Sequence, residues 1–214
     1  MQTTIYLASK SPRRRELLHQ IGVPFEMLLL REVPVNRAFS DQRRSAPSLA
    51  NRCDVDESPL ANELPRNYVE RVVKLKATVA HNIMLARKLV VRPILAADTT
   101  VVLNDKIIGK PVDAADAAAT LRALSGQTHQ VMTGIALHHQ GALQFCLSVS
   151  NVRFKPLTEA EIHRYILTGE PMDKAGSYGV QGRAAAFVAH LSGSYSGVMG
   201  LPLHETATLL AACS

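Results

Sequence analysis

An apolar run at residues 5–8 stops at Ser9-Lys10-Ser11-Pro12 and is followed at once by Arg13-Arg14-Arg15. A helical pattern then places Leu17, Leu18 and Ile21 on one face. This succession dictates a strand, a tight bend and a helix that starts with Ser11 as N-cap and Pro12 at N1 and stops at Gly22. It also contains a conflict. Three arginines fill the first helical turn, where the macrodipole disfavours exposed cations by about 0.3–1 kcal/mol each. An anion at the helix N-terminus resolves it, because it meets backbone N–H groups, the dipole and the guanidinium forks together. Ser9 and Ser11 would add hydroxyl donors. The competing reading is a surface helix that opens with solvated arginines.

Further along, a second helix is expected after Pro65, with Val69, Val72, Val73, Val79 and Ala80 at helical spacing. Residues 94–97 read as a buried strand that continues extended to an Asn104-Asp105 turn, from which Ile107-Ile108 returns as a hairpin. Asp113 caps an alanine-rich helix ending at Gly126. Two long strands, at about 128–138 and 142–154, pair across His138-His139-Gln140-Gly141. Thr158 and Glu161 form a capping box for a short helix ending at Gly169. A glycine-rich loop at 176–182 leads to an apolar strand, and Gly200-Leu201-Pro202 opens the last helix. Strands alternating with helices, with hairpins among them, predict an α/β or α+β fold with a mixed sheet.

The chain is long enough for one compact domain, or for one domain with two lobes around a cleft, since its 214 residues are 47% hydrophobic. Its charge narrows the partners. The net +6 comes from 24 Lys and Arg against 18 Asp and Glu, yet there is no lysine run and no basic stripe interleaved with aromatics. A small polyanion fits better than nucleic acid. The basic segment at about 31–53 carries Arg37, Arg43, Arg44 and Arg52 among Ser, Pro and Asn, and reads as a solvated loop insertion. Cys53, Cys146 and Cys213 are widely spaced, which suits reduced thiols and offers no zinc spacing. No signal peptide and no apolar run near the roughly 18 residues of a membrane span are found, so a cytoplasmic protein without membrane partners is expected.

Several residues break the pattern around them. Lys76 sits in the middle of the apolar face of the second helix. Either its stem snorkels outward, or its amine reaches an anion inside a cleft. Asp98 follows the apolar run 94–97, at what reads as the carboxyl end of a buried strand, where a carboxylate serves metal or proton chemistry or else merely ends the strand in a turn. Glu57, within Asp54-Val55-Asp56-Glu57-Ser58, is a second acid in a cluster that is otherwise solvated. Such hard oxygen ligands suit Mg²⁺ or Mn²⁺ rather than zinc. Lys110 lies in Gly109-Lys110-Pro111, where the proline imposes extended geometry and the glycine permits close approach. Gln181, in the glycine loop, carries an amide able to read a base edge. The eight histidines show no paired-ligand spacing; His129 reads as structural and His138-His139 as solvent-facing. Neither a G-x-S-x-G elbow nor a G-x-x-x-x-G-K-[ST] loop is present.

Taken in order, these pieces resemble the Maf family of nucleotide pyrophosphatases. The matching segments are Leu7-Ala8-Ser9-Lys10-Ser11-Pro12-Arg13-Arg14, Asp56-Glu57-Ser58, Lys76-Ala77, Ala97-Asp98-Thr99, Gly109-Lys110-Pro111, 129–134, 173–182 and Gly200-Leu201-Pro202-Leu203. They cover nearly the whole chain. The resemblance implies a twisted mixed sheet flanked by helices, in two lobes around a central cleft, and a homodimer. It also implies metal-dependent cleavage of a nucleoside triphosphate between the α and β phosphates. Ser9, Arg13, Arg14, Lys76 and Lys110 then look like the phosphate cradle, Glu57 like a carboxylate near a Mg²⁺ or Mn²⁺ ion, and Asp98 like the general base, also beside the metal. Arg13, Thr99 and Gln181 match the positions that mark the dTTP/UTP branch. Two features depart from the family: the longer basic segment before Asp54, and Gly197 where Asn is common. The rival expectations are a house-cleaning pyrophosphatase for modified or deaminated nucleotides, and a nucleotide-binding regulator of cell division without turnover.

Overall fold

A computed structural model of the protein describes residues 3–32, 54–211 and 213. The first strand, Ile5–Leu7 (β1), runs through Ala8 and Ser9 into the helix Pro12–Gln20 (α1), with Ser11 at the N-cap and Gly22 in the left-handed region (φ 70°) after its end. Phe25–Met27 (β2) returns parallel to β1. Arg31–Glu32 (β3) pairs in parallel with Asp54–Val55 (β4). The basic segment lies, but for Arg31 and Glu32, outside the described residues, and so does its expected loop character.

The long helix Pro65–Ala86 (α2) carries the apolar stripe on which its sequence was read, with Val69, Val72, Val73, Val79 and Ala80 all buried. Ile94–Leu103 (β5) and Lys106–Ile108 (β6) form a hairpin whose turn, Asn104-Asp105, takes positive φ at both residues, as a tight two-residue turn requires. Ala114–Leu124 (α3) begins at Asp113, whose side chain accepts from the Asp116 N–H. Thr128–His139 (β7) and Ala142–Phe154 (β8) pair over their whole length. Their turn is Gln140-Gly141, again with positive φ at both positions. The histidines are therefore not in the turn: His138 and His139 end β7, and His138 stacks on His81 of α2 at 3.9 Å between centroids. Glu159–Ile166 (α4) carries the complete Thr158–Glu161 capping box. Three short 3₁₀ turns, Glu170–Asp173, Ala175–Ser177 and Arg183–Phe187, precede Val188–Ser192 (β9), Tyr195–Met199 (α5) and Leu203–Ala211 (α6).

The main sheet has seven strands in the order β2-β1-β5-β7-β8-β9, with β6 on β5. β1, β2 and β5 are parallel and the other pairings antiparallel, so the expected mixed α/β sheet is what the chain forms. Alternation along β5 assigns the two faces. Ile94 and Ala96 pack with α2 residues such as Val73, Ala77 and Ala80. Leu95 and Ala97 pack on the other face with Leu17 and Leu18 of α1 and the α6 leucines. Val101, further along that second face, joins Leu121, Phe154, Tyr165 and Tyr178 under α3 and α4. The second face thus carries two groups of helices at opposite ends of β5, with residues 98–100 between them.

Candidate active site

The site grows from a gap in the sheet. One edge of β5 is paired continuously with β7 from Ile94 to Val102. On the other edge, β1 pairs only with Ile94 and Leu95, and β6 only with Val101 to Leu103. Between them the β5 backbone faces a notch, and β1 leads past its mouth into Ser9 and the α1 N-terminus. Asp98 is therefore not at the end of a strand, as the apolar run before it suggested. It lies inside a ten-residue strand, at the point where that strand changes neighbours.

Asp98 follows the parity of Ala96 and faces α2. There Lys76 Nζ donates to its Oδ1 at 2.7 Å and lies 2.8 Å from Glu57 Oε1. The two readings left open for Lys76 are thereby decided: the amine turns inward between two carboxylates. Burial alone would lower its pKa, but the charges of Asp98 and then Glu57 outweigh burial and hold it above 10.5, so the ammonium persists. Tyr68, about two turns earlier on α2, donates from its hydroxyl to the Glu57 carbonyl at 3.0 Å and so fixes the chain that carries Glu57. Burial, reinforced by Asp98 and Glu57, pushes the Tyr68 phenol above its usual value, which keeps it a neutral donor.

Thr99 follows the parity of Ala97 and faces α1 and α5. Arg14 reaches it from the first turn of α1, with Nη2 donating to Thr99 Oγ1 at 3.2 Å, Nη1 to Ser9 Oγ at 3.0 Å and Nε to the Gly200 carbonyl at 2.8 Å. Ser9 Oγ also accepts from the Ser11 N–H at 3.2 Å. One guanidinium therefore ties together the bend after β1, the middle of β5 and the segment between α5 and α6. Thr99 is in turn 2.9 Å from Thr133 of β7, its register partner, and Thr133 donates to the Gly197 carbonyl at 2.8 Å.

The glycine loop forms the third wall. The Gly176 N–H donates to the Gly109 carbonyl at 3.0 Å, which holds the loop against the segment carrying Lys110. Arg13 lies beside Gly179, where a Cβ would come within 3.5 Å of its Nη1 and within 2.9 Å of Lys174 Cε. A side chain there would press on Lys174 and only touch Arg13. Glu170 shapes the end of the loop, accepting from Tyr165 Oη and from the Arg183 N–H. The loop is anchored from beneath by Tyr178, whose hydroxyl is 2.8 Å from His129 Nε2. His129 is thus structural, as its place on a strand suggested.

The structure brings Glu57, Lys76 and Asp98 into direct contact, and Ser9, Arg14 and Thr99 into a second contacting set, one residue away along β5. Arg13 stands at the glycine loop. Lys110 and Gln181 are exposed and make no side-chain hydrogen bond or ion pair among the described residues. Sequence reasoning missed Thr133, Tyr68 and the carbonyls of Gly197 and Gly200. Thr133 left a faint signal, a hydroxyl opposite Thr99 in register, but backbone acceptors leave none. Gly197 contributes through its carbonyl, so its lack of a side chain does not remove it from the network.

Glu57 and Asp98 are the residues that could hold a hard divalent cation, beside the Lys76 ammonium that now lies between them. Glu57 Oε1 is buried yet makes no directed hydrogen bond, since Lys76 approaches it outside hydrogen-bonding geometry. Two carboxylates suit Mg²⁺, which takes its remaining oxygens from water and phosphate rather than from a protein cage. Among the described residues no group of three or more His, Cys, Asp or Glu gathers around a common point.

Residues 4–213 match the family model described as Maf-like protein. The chain is 52% identical over 206 residues to the dTTP/UTP pyrophosphatase of Dechloromonas aromatica (strain RCB), covering 96% of this chain and 95% of that protein. It is 53% identical over 208 residues to the dTTP/UTP pyrophosphatase of Ralstonia nicotianae, covering 97% and 92%. With the dTTP/UTP pyrophosphatase of Aromatoleum aromaticum it shares 51% over 210 residues, covering 98% and 95%.

Proposed function

The chain belongs to the Maf-like family, and from that membership and its site we propose that it hydrolyses dTTP and UTP to the monophosphate and pyrophosphate. The observation that carries this reading is the partly buried Glu57–Lys76–Asp98 cluster opening on the same notch as Arg14 and Ser9. Carboxylates that manage a proton and a cation stand beside cations that bind phosphate.

In the proposed reaction the triphosphate lies across the notch, held by Ser9, Arg13, Arg14, Lys76 and Lys110. Water attacks the α phosphorus, a bond forms from its oxygen to phosphorus, and the bond from the α phosphorus to the α–β bridging oxygen breaks. Asp98 accepts the proton of the attacking water. Its Oδ1 is occupied by Lys76, which leaves Oδ2 for that proton. Lys76 favours the charged form of Asp98 in the ground state, and with Arg14 and Lys110 it neutralises charge developing on the leaving pyrophosphate. A Mg²⁺ or Mn²⁺ ion held by Glu57 and Asp98 would supply polarisation of the phosphoryl oxygens. Thr99 and Gln181 are proposed to face the base, and Arg13 to contribute to substrate choice from the phosphate side. Phosphate cations at a sheet notch also account for the net positive charge without nucleic acid. A cytoplasmic homodimer is the accompanying proposal; among the described residues no helix is long and apolar enough to cross a membrane.

The test is a panel of ordinary, methylated and deaminated nucleoside triphosphates with Mg²⁺, Mn²⁺ or EDTA, its products resolved by chromatography. UMP or TMP with pyrophosphate, abolished by EDTA, is expected. Nucleoside diphosphate with orthophosphate would place the attack at the wrong phosphorus. Faster turnover of modified nucleotides would favour the house-cleaning role, and tight binding without turnover the regulatory one.

A further inference from the structure

We infer that Thr133, which lies behind the site, sets the hydrogen-bonding sense of Thr99 and thereby the kind of base edge the notch accepts. A threonine hydroxyl has one proton and two lone pairs, and a guanidinium has protons only. Thr133 Oγ1 donates to the Gly197 carbonyl at 2.8 Å, an acceptor that has no proton to return. Its single proton is thereby used, so in the 2.9 Å contact with Thr99 it is Thr99 that donates. Arg14 Nη2 occupies one lone pair of Thr99 Oγ1 at 3.2 Å. What Thr99 offers the notch is its second lone pair. It is an acceptor only.

The polarity is locked because both ends are fixed. Thr133 is 1% exposed and Gly197 is also buried, so no water competes for either group. Gly197 is held through its own N–H, which donates to Ser194 Oγ at 3.0 Å. Thr99 and Thr133 are register partners on antiparallel β5 and β7, so their Cβ atoms cannot drift apart without breaking the sheet. A hydroxyl in open water turns to suit either a donor or an acceptor. This one does not.

An acceptor of this kind fits a ring N–H. Uracil and thymine present a protonated ring nitrogen between two carbonyls, whereas cytosine presents a bare nitrogen with a lone pair at the same place. The relay therefore favours uridine and thymidine nucleotides and opposes cytidine ones, and Thr133 is a positioning residue for that choice. This rests on the proposal that Thr99 faces the base. When Thr133 is replaced by valine, Thr99 loses its proton acceptor, its hydroxyl turns freely, and it can donate to cytosine as readily as it accepts from uracil.

The experiment is calorimetric binding of the non-hydrolysable α,β-methylene analogues of UTP and CTP, with Mg²⁺, to the full chain and its variants. Wild type is expected to hold the uridine analogue about tenfold more tightly, as a buried hydrogen-bonding group left facing a mismatched partner implies. Thr133→Ser, which keeps the hydroxyl, should preserve that ratio, and Thr133→Val should bring it close to unity. Should the valine variant fail to melt cooperatively, Thr133→Ala removes the same acceptor with less bulk. A folded Thr133→Val or Thr133→Ala protein with the wild-type ratio would overturn the inference, as would a wild type with no preference or a Thr99→Val protein that keeps it. Preference for the uridine analogue in a protein that releases no pyrophosphate from UTP would support the relay while sinking the hydrolase proposal.

Discussion

Asp98 and Gly134 face each other in register across β5 and β7, and the missing side chain at Gly134 is what lets α2 lie close enough for Lys76 to reach Asp98. A Cβ built at Gly134 would stand 2.7 Å from Val69 Cγ1 and 3.2 Å from Val73 Cγ1, both on α2 and both buried. The ion pair at the centre of the site therefore depends on a packing distance set by a glycine on the neighbouring strand.

Gly134→Ala is accordingly expected to cost stability and activity together. Overpacking of this kind costs about 1–3 kcal/mol, visible as a lowered urea midpoint. The displacement of α2 should lower kcat as well. A variant with reduced stability and unchanged kcat would show that Lys76 reaches Asp98 regardless of the helix position.

Asp98→Asn should separate binding from turnover. Lys76 keeps Glu57 as a partner, so the protein should fold and bind nucleotide with KM within a few-fold of wild type. Loss of the proton acceptor should lower kcat by about 10²–10⁴-fold. Near-normal turnover would remove Asp98 from the chemistry.

Arg14→Lys preserves the charge and loses the fork. A lysine ammonium cannot reproduce donation to Ser9, Thr99 and the Gly200 carbonyl from one planar group. We expect kcat/KM to fall by about 10–100-fold, from the loss of charge-assisted hydrogen bonds worth 1.5–3 kcal/mol each. If lysine supports full activity, charge alone is what the site needs at this position.

His129 should make the fold acid-sensitive in a defined window. Burial pushes its imidazole from 6.5 down to about 4, while Tyr178 partners it. The unfolded chain takes up a proton near pH 6.5 that the folded chain refuses until about pH 4, so stability present above pH 6.5 is lost as the pH falls through that interval. The loss amounts to about 3 kcal/mol at pH 4. His138, lowered by burial and by His81 and His139, acts in the same direction, so His129→Gln should reduce the slope without abolishing it. Urea midpoints at pH 7, 6, 5 and 4 for both proteins measure this, and parallel slopes would exclude His129 as the source.

Much of the fold could be read from the chain because its signals are local. The Pro12 and Pro65 helix starts, the Asp113 cap, the Thr158–Glu161 box and the two-residue turns each lie within four residues of what they control. The site was legible where a residue contradicted its neighbours, as Lys76 does on its apolar stripe. Elsewhere it was hidden by distance. Nothing near Arg14 announces the Gly200 carbonyl 186 positions away, and nothing in the run before Asp98 says that the strand continues while its neighbour changes. β2, β3 and β4, at two or three residues each, are too short for any periodicity, so the main sheet's β2 edge and the separate β3–β4 pair were invisible. The misplaced hairpin turn has a similar cause: His138 looked like loop material, but stacking on His81 keeps it in the strand.

Asp98 and Thr99 are joined by one peptide bond and point through opposite faces of the sheet. The helix that supports the carboxylate is not the helix that supports the hydroxyl, and the side chains packed behind one are absent from behind the other. Substitutions around Thr99 that spare the Ser9 and Arg14 contacts would then retune which nucleotide is admitted while the carboxylate–lysine cluster on the far side is left as it is. A lineage under pressure to clear a new nucleotide could change its taste without relearning the reaction.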